Sequence, residues 1–239
     1  SDLVDHVDQY IRAYKIGSGD ITWIQNIKKI ASKGKPVLLA CGASNLKEIQ
    51  RAVEAVLEVN SQLSILQCNT NYTGSLKNFD YVNLNVLKTL GKMYPNLILG
   101  LSDHTPGHTT AVGAVALGAR IIEKHFTDDN SRTGPDHGFA MNPKTWEKMV
   151  KVTRELERSL GNGIKSVESN EEDTVIIQRR SLRANKNLKI GNKLSLEDIC
   201  VLRPCPRDAL EPWQIEDYLG KVLKRDVKNG EHFKASDFI

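Results

Sequence analysis

Several common signatures are missing from this chain of 239 residues. No apolar run approaches the roughly 20 residues that cross a membrane, so a membrane-spanning helix is not expected. The four cysteines form neither a CxxC pair nor a dense disulfide pattern, which indicates reduced thiols and a cytoplasmic protein. The formal net charge of +4 is spread along the chain without a basic block interleaved with aromatic residues. Nucleic acid is therefore not an expected partner.

What the sequence does contain is an alternation of apolar runs with amphipathic segments. The runs predict strands at five places, which are residues 13–19, 36–42, 64–69, 97–103 and 119–126. A helix is predicted over 45–59, with Asn45 as its N-cap and Glu48 three residues later. Apolar strands separated by helices predict parallel strands covered on both faces, as in a doubly wound sheet or a (β/α)8 barrel.

The strand ends favour the barrel. Each apolar run closes on polar or small residues, and no GxGxxG motif follows any of them. A barrel gathers the carboxyl ends of all its strands around one mouth, whereas an open sheet gathers them only at a switch point. We therefore predict an α/β fold of the (β/α)8 TIM type.

A second region follows the polar stretch 159–174 and contains an internal repeat. Residues 188–199 and 227–238 share one pattern of hydrophobic, glycine and aspartate positions, in which Gly191 corresponds to Gly230. Two glycine turns feeding short strands predict a small pseudo-symmetric β module.

The fourth and fifth apolar runs each end in a polar triplet that closes on a histidine, His104 in one and His125 in the other. Neighbouring parallel strands bring such side chains together, and two imidazoles completed by water or substrate oxygen suit a catalytic divalent ion. A single histidine at a strand end is more often a hydrogen-bonded structural group. Two of them on neighbouring strands favour a metal site.

A lysine, Lys15, lies at the end of the first run, where a buried ammonium needs a carboxylate or phosphate partner. The alternative is a lysine that reaches the rim or pairs with a carboxylate of the barrel itself. Gly17 and Gly19 flank Ser18 and allow backbone N–H groups to approach an anion closely. The loop at 134–139, GPDHGF, is by itself more typical of a turn than of a site.

Taken together and in order, the segments YKIGSGD, LSDHT, ALGARIIEKHFT, GPDH, RRSLRA and LRPC resemble the sialic acid synthase family, the N-acetylneuraminate and related nonulosonate synthases. The resemblance covers essentially the whole chain. It implies the C-terminal part of a barrel at residues 1–160, a linker at 161–178 and a C-terminal antifreeze-like (SAF) domain at 179–239. It also implies an enzyme that condenses phosphoenolpyruvate (PEP) with an N-acylated mannosamine-type sugar, giving a sialic or related nonulosonic acid and phosphate with the help of Mn²⁺ or Mg²⁺.

The resemblance assigns roles to individual residues. It implies His104 and His125 as metal ligands and two catalytic carboxylates, Glu123 and Asp136. The substrate-binding positions that it implies are Lys15, Ser18, Asp20, Thr70, Tyr72, Ser102 and Arg203. Lys15, Ser18 and Ser102 are expected on the PEP side. Arg203 matches the arginine that reaches into the partner subunit's barrel toward the N-acyl group, which implies a domain-swapped homodimer.

Departures from the family pattern leave the acceptor open. Ala40 and Cys41 replace the hydroxyl side chains that are usual before Gly42, and Cys205 replaces a glycine. The segment 73–84 lengthens a loop on the sugar side. N-acetylmannosamine, its 6-phosphate and bacillosamine-derived sugars all remain candidate acceptors.

Five strands are fewer than the eight of a closed barrel, and the resemblance makes the strand of Lys15 the fourth. We expect three strands to be absent upstream and the isolated chain to be inactive. Two alternatives stay open, which are a non-catalytic remnant that binds a carbohydrate or a partner and another PEP-dependent sugar-acid synthase.

Overall fold

A computed structural model describes residues 2–239, which divide into a first compact unit ending at Gly163 and a second beginning at Ile164. Each unit has its own hydrophobic core. Among the described residues, no helix is both long and apolar enough to span a membrane.

Five parallel strands form the sheet of the first unit, and their spatial order follows the chain. They are β1 Tyr14–Ile16, β2 Val37–Ala40, β3 Leu63–Cys68, β4 Ile98–Asp103 and β5 Ile121–Lys124. The predicted strands are thus present, although several are shorter than the apolar runs. Six helices connect or flank them, which are α1 Asp2–Asp8, α2 Ile24–Ala31, α3 Leu46–Leu57, α4 Val86–Met93, α5 Thr109–Ala116 and α6 Pro143–Ser159.

Helix α3 shows how the local sequence sets an element. The Asn45 side chain accepts hydrogen bonds from the backbone N–H groups of Lys47 and Glu48, and Glu48 accepts from the Asn45 N–H at 2.7 Å. This capping box satisfies N–H groups that the first turn leaves unpaired. The helix face that carries Ile49 and Val53 is buried in the hydrophobic core of the first unit. The predicted helix is confirmed, with its start at the predicted cap.

Alternate residues of each strand face opposite sides of the sheet. Leu39, Ile65 and Leu101 are fully buried in the core cluster that includes the helices. Burial of each such side chain contributes about 1.5–3 kcal/mol. Their neighbours on the other face, such as Ser102 and Glu123, therefore point to the inside of the sheet, where the site lies.

The sheet curls into a half-barrel. β1 and β5 are its two edges, and a flat sheet would separate them by about 19 Å, at roughly 4.8 Å per strand. Yet Lys15 Nζ on β1 lies 3.0 Å from Glu123 Oε2 on β5. Side chains of that length meet only if the edges curve toward each other. The carboxyl ends of all five strands consequently surround one space, and the predicted α/β barrel class, here with five strands, is confirmed.

The second unit contains two further helices and a two-stranded antiparallel sheet, which are α7 Glu172–Gln178, β6 Ser181–Ala184, β7 Ile199–Leu202 and α8 Ile215–Tyr218. Its core consists of nine buried residues, Leu182, Ala184, Leu188, Leu194, Leu210, Leu223, Val227, Phe233 and Phe238. The stretch 161–178, predicted as a linker, includes α7.

The predicted repeat is visible in the second unit. Gly191 and Gly230 both have a positive φ, 86° and 83°, which favours glycine. Each repeat then forms a short 3-10 turn ending in a buried aspartate, Asp198 in one and Asp237 in the other. Each aspartate accepts a 2.9 Å hydrogen bond from the backbone N–H three residues before it. The internal repeat is confirmed.

Candidate active site

One cavity of about 120 Å³ opens at the carboxyl ends of the five strands. It is lined by twelve residues, Lys15, Gly17, Ser18, Ala40, Cys68, Tyr72, Ser102, Asp103, His104, Glu123, Lys124 and His125. Seven residues proposed from the sequence are among them. The mouth of the half-barrel is therefore the candidate active site.

The two histidines lie side by side at this mouth, with ring centroids 5.1 Å apart. His104 is buried, and its Nδ1 lies 3.0 Å from the carbonyl oxygen of Asn69. Because a carbonyl only accepts, Nδ1 carries the proton and Nε2 keeps its lone pair. His125 Nδ1 lies 3.4 Å from Asp136 Oδ2, a close contact whose geometry does not make it a hydrogen bond.

Their surroundings shift the two pKa values apart. Burial lowers the pKa of His104, but the Cys68 thiol, 4.0 Å from Nδ1, and the Asn69 carbonyl outweigh burial and raise it above its ordinary value. For His125, burial and then the neighbouring His104 lower the pKa. The two imidazoles therefore do not gain charge over the same pH range.

Aromatic rings surround the histidines. The Tyr72 ring centroid lies 4.4 Å from that of His104 and 5.7 Å from that of His125. On the other side of His125, the Phe139 centroid lies 5.3 Å away. A Cβ at Gly74 would lie 2.5 Å from Phe139 Cβ, so a glycine is required for the loop after Tyr72 to approach this ring. The lengthened loop noted in the sequence thus borders the imidazole pair.

Lys15 and Glu123 face each other across the cavity. Their ion pair measures 3.0 Å, but its angles do not make it a hydrogen bond, and the buried Glu123 Oε2 has no hydrogen-bond partner among residues 2–239. A buried acceptor in this state suits a ligand that brings a donor or a cation. Of the two alternatives for Lys15, the partner present in this structure is a carboxylate of the barrel.

Small polar side chains crowd around Gly42. Its N–H donates to Ser18 Oγ at 2.9 Å, and Cys68 Sγ lies 3.6 Å from Thr70 Oγ1. A Cβ on Gly42 would lie 2.0 Å from Thr70 Oγ1. The space next to Ser18 therefore depends on a glycine at position 42.

Four predicted residues are not part of the cavity lining. Thr70 and Asp136 each contact a lining residue, Cys68 and His125 respectively, whereas Asp20 and Arg203 do not line the site. Asp20 is exposed at the end of a 3-10 turn that starts at Ser18. Arg203 belongs to the second unit, where it is exposed and its Nε donates to the Gln178 carbonyl at 2.6 Å.

Sequence reasoning missed Cys68, which lines the cavity, and the pair Asp103–Lys124, which borders the cavity but whose side chains are buried on the other face of the sheet. Both members of the pair stand in the middle of the polar triplets, next to the histidines. The alternation of side chains along a strand could have shown that these two charged residues lie on the opposite face from the histidines, where a buried charge needs a partner.

Comparison with known proteins decides the family. Residues 2–165 match the NeuB family and residues 179–239 match the SAF domain. The chain belongs to the NeuB family. The resemblance to sialic acid synthases is thereby confirmed.

Two proteins with a stated activity are similar to this chain. An N,N'-diacetyllegionaminic acid synthase of Campylobacter jejuni is 34% identical over an alignment of 224 residues, and the match covers 92% of this chain and 65% of that protein. The structure of an N-acetylneuraminic acid synthetase of Leptospira borgpetersenii is 32% identical and has a TM-score of 0.63, covering 69% of this chain and 56% of the other.

A protein of Chromobacterium violaceum, described as a spore coat polysaccharide biosynthesis protein E, shares the fold over 100% of this chain and 71% of its own, with a TM-score of 0.74 at 22% identity. This NeuB-family chain spans less than two thirds of the length of the C. jejuni synthase. Two of these similar proteins, those of C. jejuni and L. borgpetersenii, are named as synthases of nonulosonic acids.

Proposed function

We propose that this chain forms part of a synthase that condenses PEP with an N-acylated mannosamine-type sugar, giving a nonulosonic acid and phosphate. The observation that carries the proposal is the convergence of His104, His125, Lys15, Ser18 and Glu123 on one cavity at the strand ends. The names of the relatives supply the class of product.

The reaction makes a bond between C3 of PEP and the aldehyde carbon of the open-chain sugar. The aldehyde oxygen gains a proton and becomes a hydroxyl. A water molecule adds at C2 of the former PEP, and phosphate leaves, so that C2 becomes a ketone. The protein has to hold an anion, orient an aldehyde and admit one water.

PEP is the ligand we assign to the side of Lys15, Ser18 and Ser102. The Lys15 ammonium can exchange its contact with Glu123 for a carboxylate or phosphate of PEP, since the present ion pair is not a hydrogen bond. The backbone near Gly17 is open, because a Cβ there would meet nothing within 4 Å. An anion can therefore approach closely.

The acceptor sugar is assigned to Tyr72, Glu123 and Asp136, with Asp20 outside the cavity lining. Thr70 lies next to Ser18 and is assigned to the PEP side. The Glu123 carboxylate, whose Oε2 has no hydrogen-bond partner among the described residues, can accept from a sugar hydroxyl or hold the proton that the aldehyde oxygen gains. In the complete enzyme, we assign Arg203 to the N-acyl group of a sugar bound in the partner subunit, which requires a homodimer.

A divalent ion, Mn²⁺ or Mg²⁺, fits the donor set. His104 Nδ1 is occupied by the Asn69 carbonyl, and His125 Nδ1 lies next to Asp136, so we assign Nε2 of each imidazole to the cation. No group of three His, Cys, Asp or Glu side chains within residues 2–239 is arranged for a metal, so water or substrate oxygens would fill the other positions. When bound, the ion would polarise the aldehyde as a Lewis acid.

The test is binding of PEP to this chain in the presence of Mn²⁺, which is monitored by the broadening of the ³¹P resonance of PEP. We expect saturable broadening that Lys15→Ala and His104→Ala each reduce at least tenfold, while Lys144→Ala, an exposed lysine on α6, has no effect. Broadening that is the same in all three variants would reject the site. It would favour the alternative of a binding remnant without PEP chemistry.

A further inference from the structure

A second charged pair, Asp103 and Lys124, lies on the helix-covered face of the sheet. Their side chains are only 1% and 2% exposed, and the two residues stand opposite each other in the β4–β5 ladder. Taking two charges out of water costs several kcal/mol per ion, and well-packed apolar side chains in the same space are often as stable. Stability alone therefore does not account for the pair.

The hydrogen bonds of the pair hold the turn that follows β4. The Asp103 carboxylate accepts from Thr105 N at 3.0 Å and from the hydroxyls of Thr105 and Thr110. Lys124 Nζ donates to Asp103 Oδ2 and to the Thr105 carbonyl. Both backbone polar groups of Thr105 are thus bound by the pair, and Thr110 connects it to the first turn of α5.

These contacts fix the backbone around both histidines. His104 lies between Asp103 and Thr105, which the network immobilises. His125 directly follows Lys124, and its carbonyl accepts from Met141 N at 2.8 Å. Each imidazole is therefore attached to a backbone that is held on both sides.

From this geometry we propose that Asp103 and Lys124 are positioning residues, which hold His104 and His125 at the separation at which both bind one divalent cation. The proposal rests on the proposed function, because it takes the two imidazoles as ligands. A pair that served stability alone would lower the melting temperature when removed, without changing the cation affinity of the folded protein.

The experiment is a Cu²⁺ titration of the apo chain, since Cu²⁺ binds imidazole most strongly among the divalent first-row ions. The double variant Asp103→Asn/Lys124→Met removes both charges, so that no buried charge is left unpaired. Lys35→Met is the control, because it breaks the Lys35–Asp8 ion pair just before β2, at the opposite end of the sheet. His104→Ala reports loss of a ligand.

We expect the double variant to bind Cu²⁺ at least tenfold more weakly than wild type and to lose one of two nitrogen couplings in the electron paramagnetic resonance spectrum. Lys35→Met is expected to bind as wild type does. Circular dichroism at the titration temperature checks that each variant is folded. If the double variant does not fold, Thr110→Val removes only one hydroxyl from the network, and we expect it to weaken binding about threefold.

Two outcomes would overturn the proposal, and they differ. If His104→Ala weakens Cu²⁺ binding but the folded network variants bind as wild type does, the pair does not position the ligands, while the two-histidine site stands. If His104→Ala itself binds as wild type does, the two histidines are not joint ligands, and the metal assignment in the proposed function fails together with this inference.

Discussion

Replacing Gly42 with alanine adds one methyl group at a crowded point of the candidate site. Its Cβ would lie 2.0 Å from Thr70 Oγ1, 2.9 Å from Ser18 Oγ and 3.0 Å from Cys68 Sγ. Thr70 has to rotate away, and its β-branched side chain has few alternative rotamers. Ser18 has to retreat as well, which stretches the hydrogen bond that it accepts from residue 42.

The expected magnitude follows from two opposing effects. Overpacking a filled site costs about 1–3 kcal/mol. Alanine also restricts the unfolded chain, which stabilises by about 0.4–1 kcal/mol where the glycine conformation suits alanine, and Gly42 has no positive φ. We therefore expect a net loss of roughly 1–2 kcal/mol in the free energy of unfolding. For a unit of this size, that loss lowers the melting temperature by about 2–8 °C.

Gly17 supplies the matched control for this prediction. It also follows a strand at the same rim, its φ is −69°, and a Cβ there would meet nothing within 4 Å. Gly17→Ala should unfold in urea at the wild-type midpoint or slightly above it, whereas Gly42→Ala should unfold earlier and bind PEP more weakly. Unfolding free energies within about 0.5 kcal/mol of each other would refute the steric reasoning, since surface substitutions vary by that much.

Three further predictions concern the second unit and the chain as a whole. Arg225→Ala should lower the free energy of unfolding by about 2 kcal/mol, because the buried Asp237 loses a bidentate partner. Arg225 is itself 38% exposed, so screening by solvent limits the loss. Lys186→Ala, at the corresponding place in the other repeat, should cost under about 1 kcal/mol because Lys186 is 59% exposed; equal urea midpoints would contradict this. Burial raises the pKa of Asp198, but hydrogen bonds from Lys186 and Ser195 outweigh burial and lower it. The Asp198 carboxylate therefore stabilises the fold above its unfolded pKa of about 3.9, and this contribution is lost as pH falls through the lower, folded pKa. In thermal melts below about pH 4, the melting temperature of Asp198→Asn should fall less steeply with pH than that of wild type. An unchanged dependence of melting temperature on pH would be evidence against this role. Finally, the isolated chain should release no phosphate from PEP and acceptor sugars, because its described sheet ends in two open edges; turnover in a phosphate-release assay would overturn this.

Much of the fold was predictable because the apolar pattern is strong. Strand order and helix positions follow from the alternation, and α3 begins at the predicted Asn45. Some strands were predicted too long at their carboxyl ends, where the chain leaves the sheet and contributes residues to the candidate site. The run 36–42 becomes a strand over Val37–Ala40 only, and its last residue, Gly42, turns toward Ser18. Apolar or small character alone does not show where the ladder stops.

Which side chains meet at the site depends on curvature, which a linear pattern does not contain. The histidines were predicted to converge because neighbouring strands bring them together in any parallel sheet. Lys15 and Glu123 lie on the two edge strands, so their contact exists only because the sheet curls into a half-barrel. The sequence allowed either a carboxylate or a phosphate partner for this lysine. Only the folded sheet supplies the carboxylate.

The middle residues of the two polar triplets carried a stronger signal. Since successive residues of a strand face opposite sides, Asp103 and Lys124 must point away from the cavity that His104 and His125 face. A charge buried under helices needs a partner of opposite sign, which predicts that these two pair with each other. Pairing also requires that Asp103 and Lys124 stand opposite each other in the β4–β5 ladder. If the pairing register of the two strands shifted by one residue, the two charges would no longer be adjacent. The buried pair therefore stabilises the one register in which both histidines reach the same rim, and this links the order of residues in each triplet to the geometry of the site.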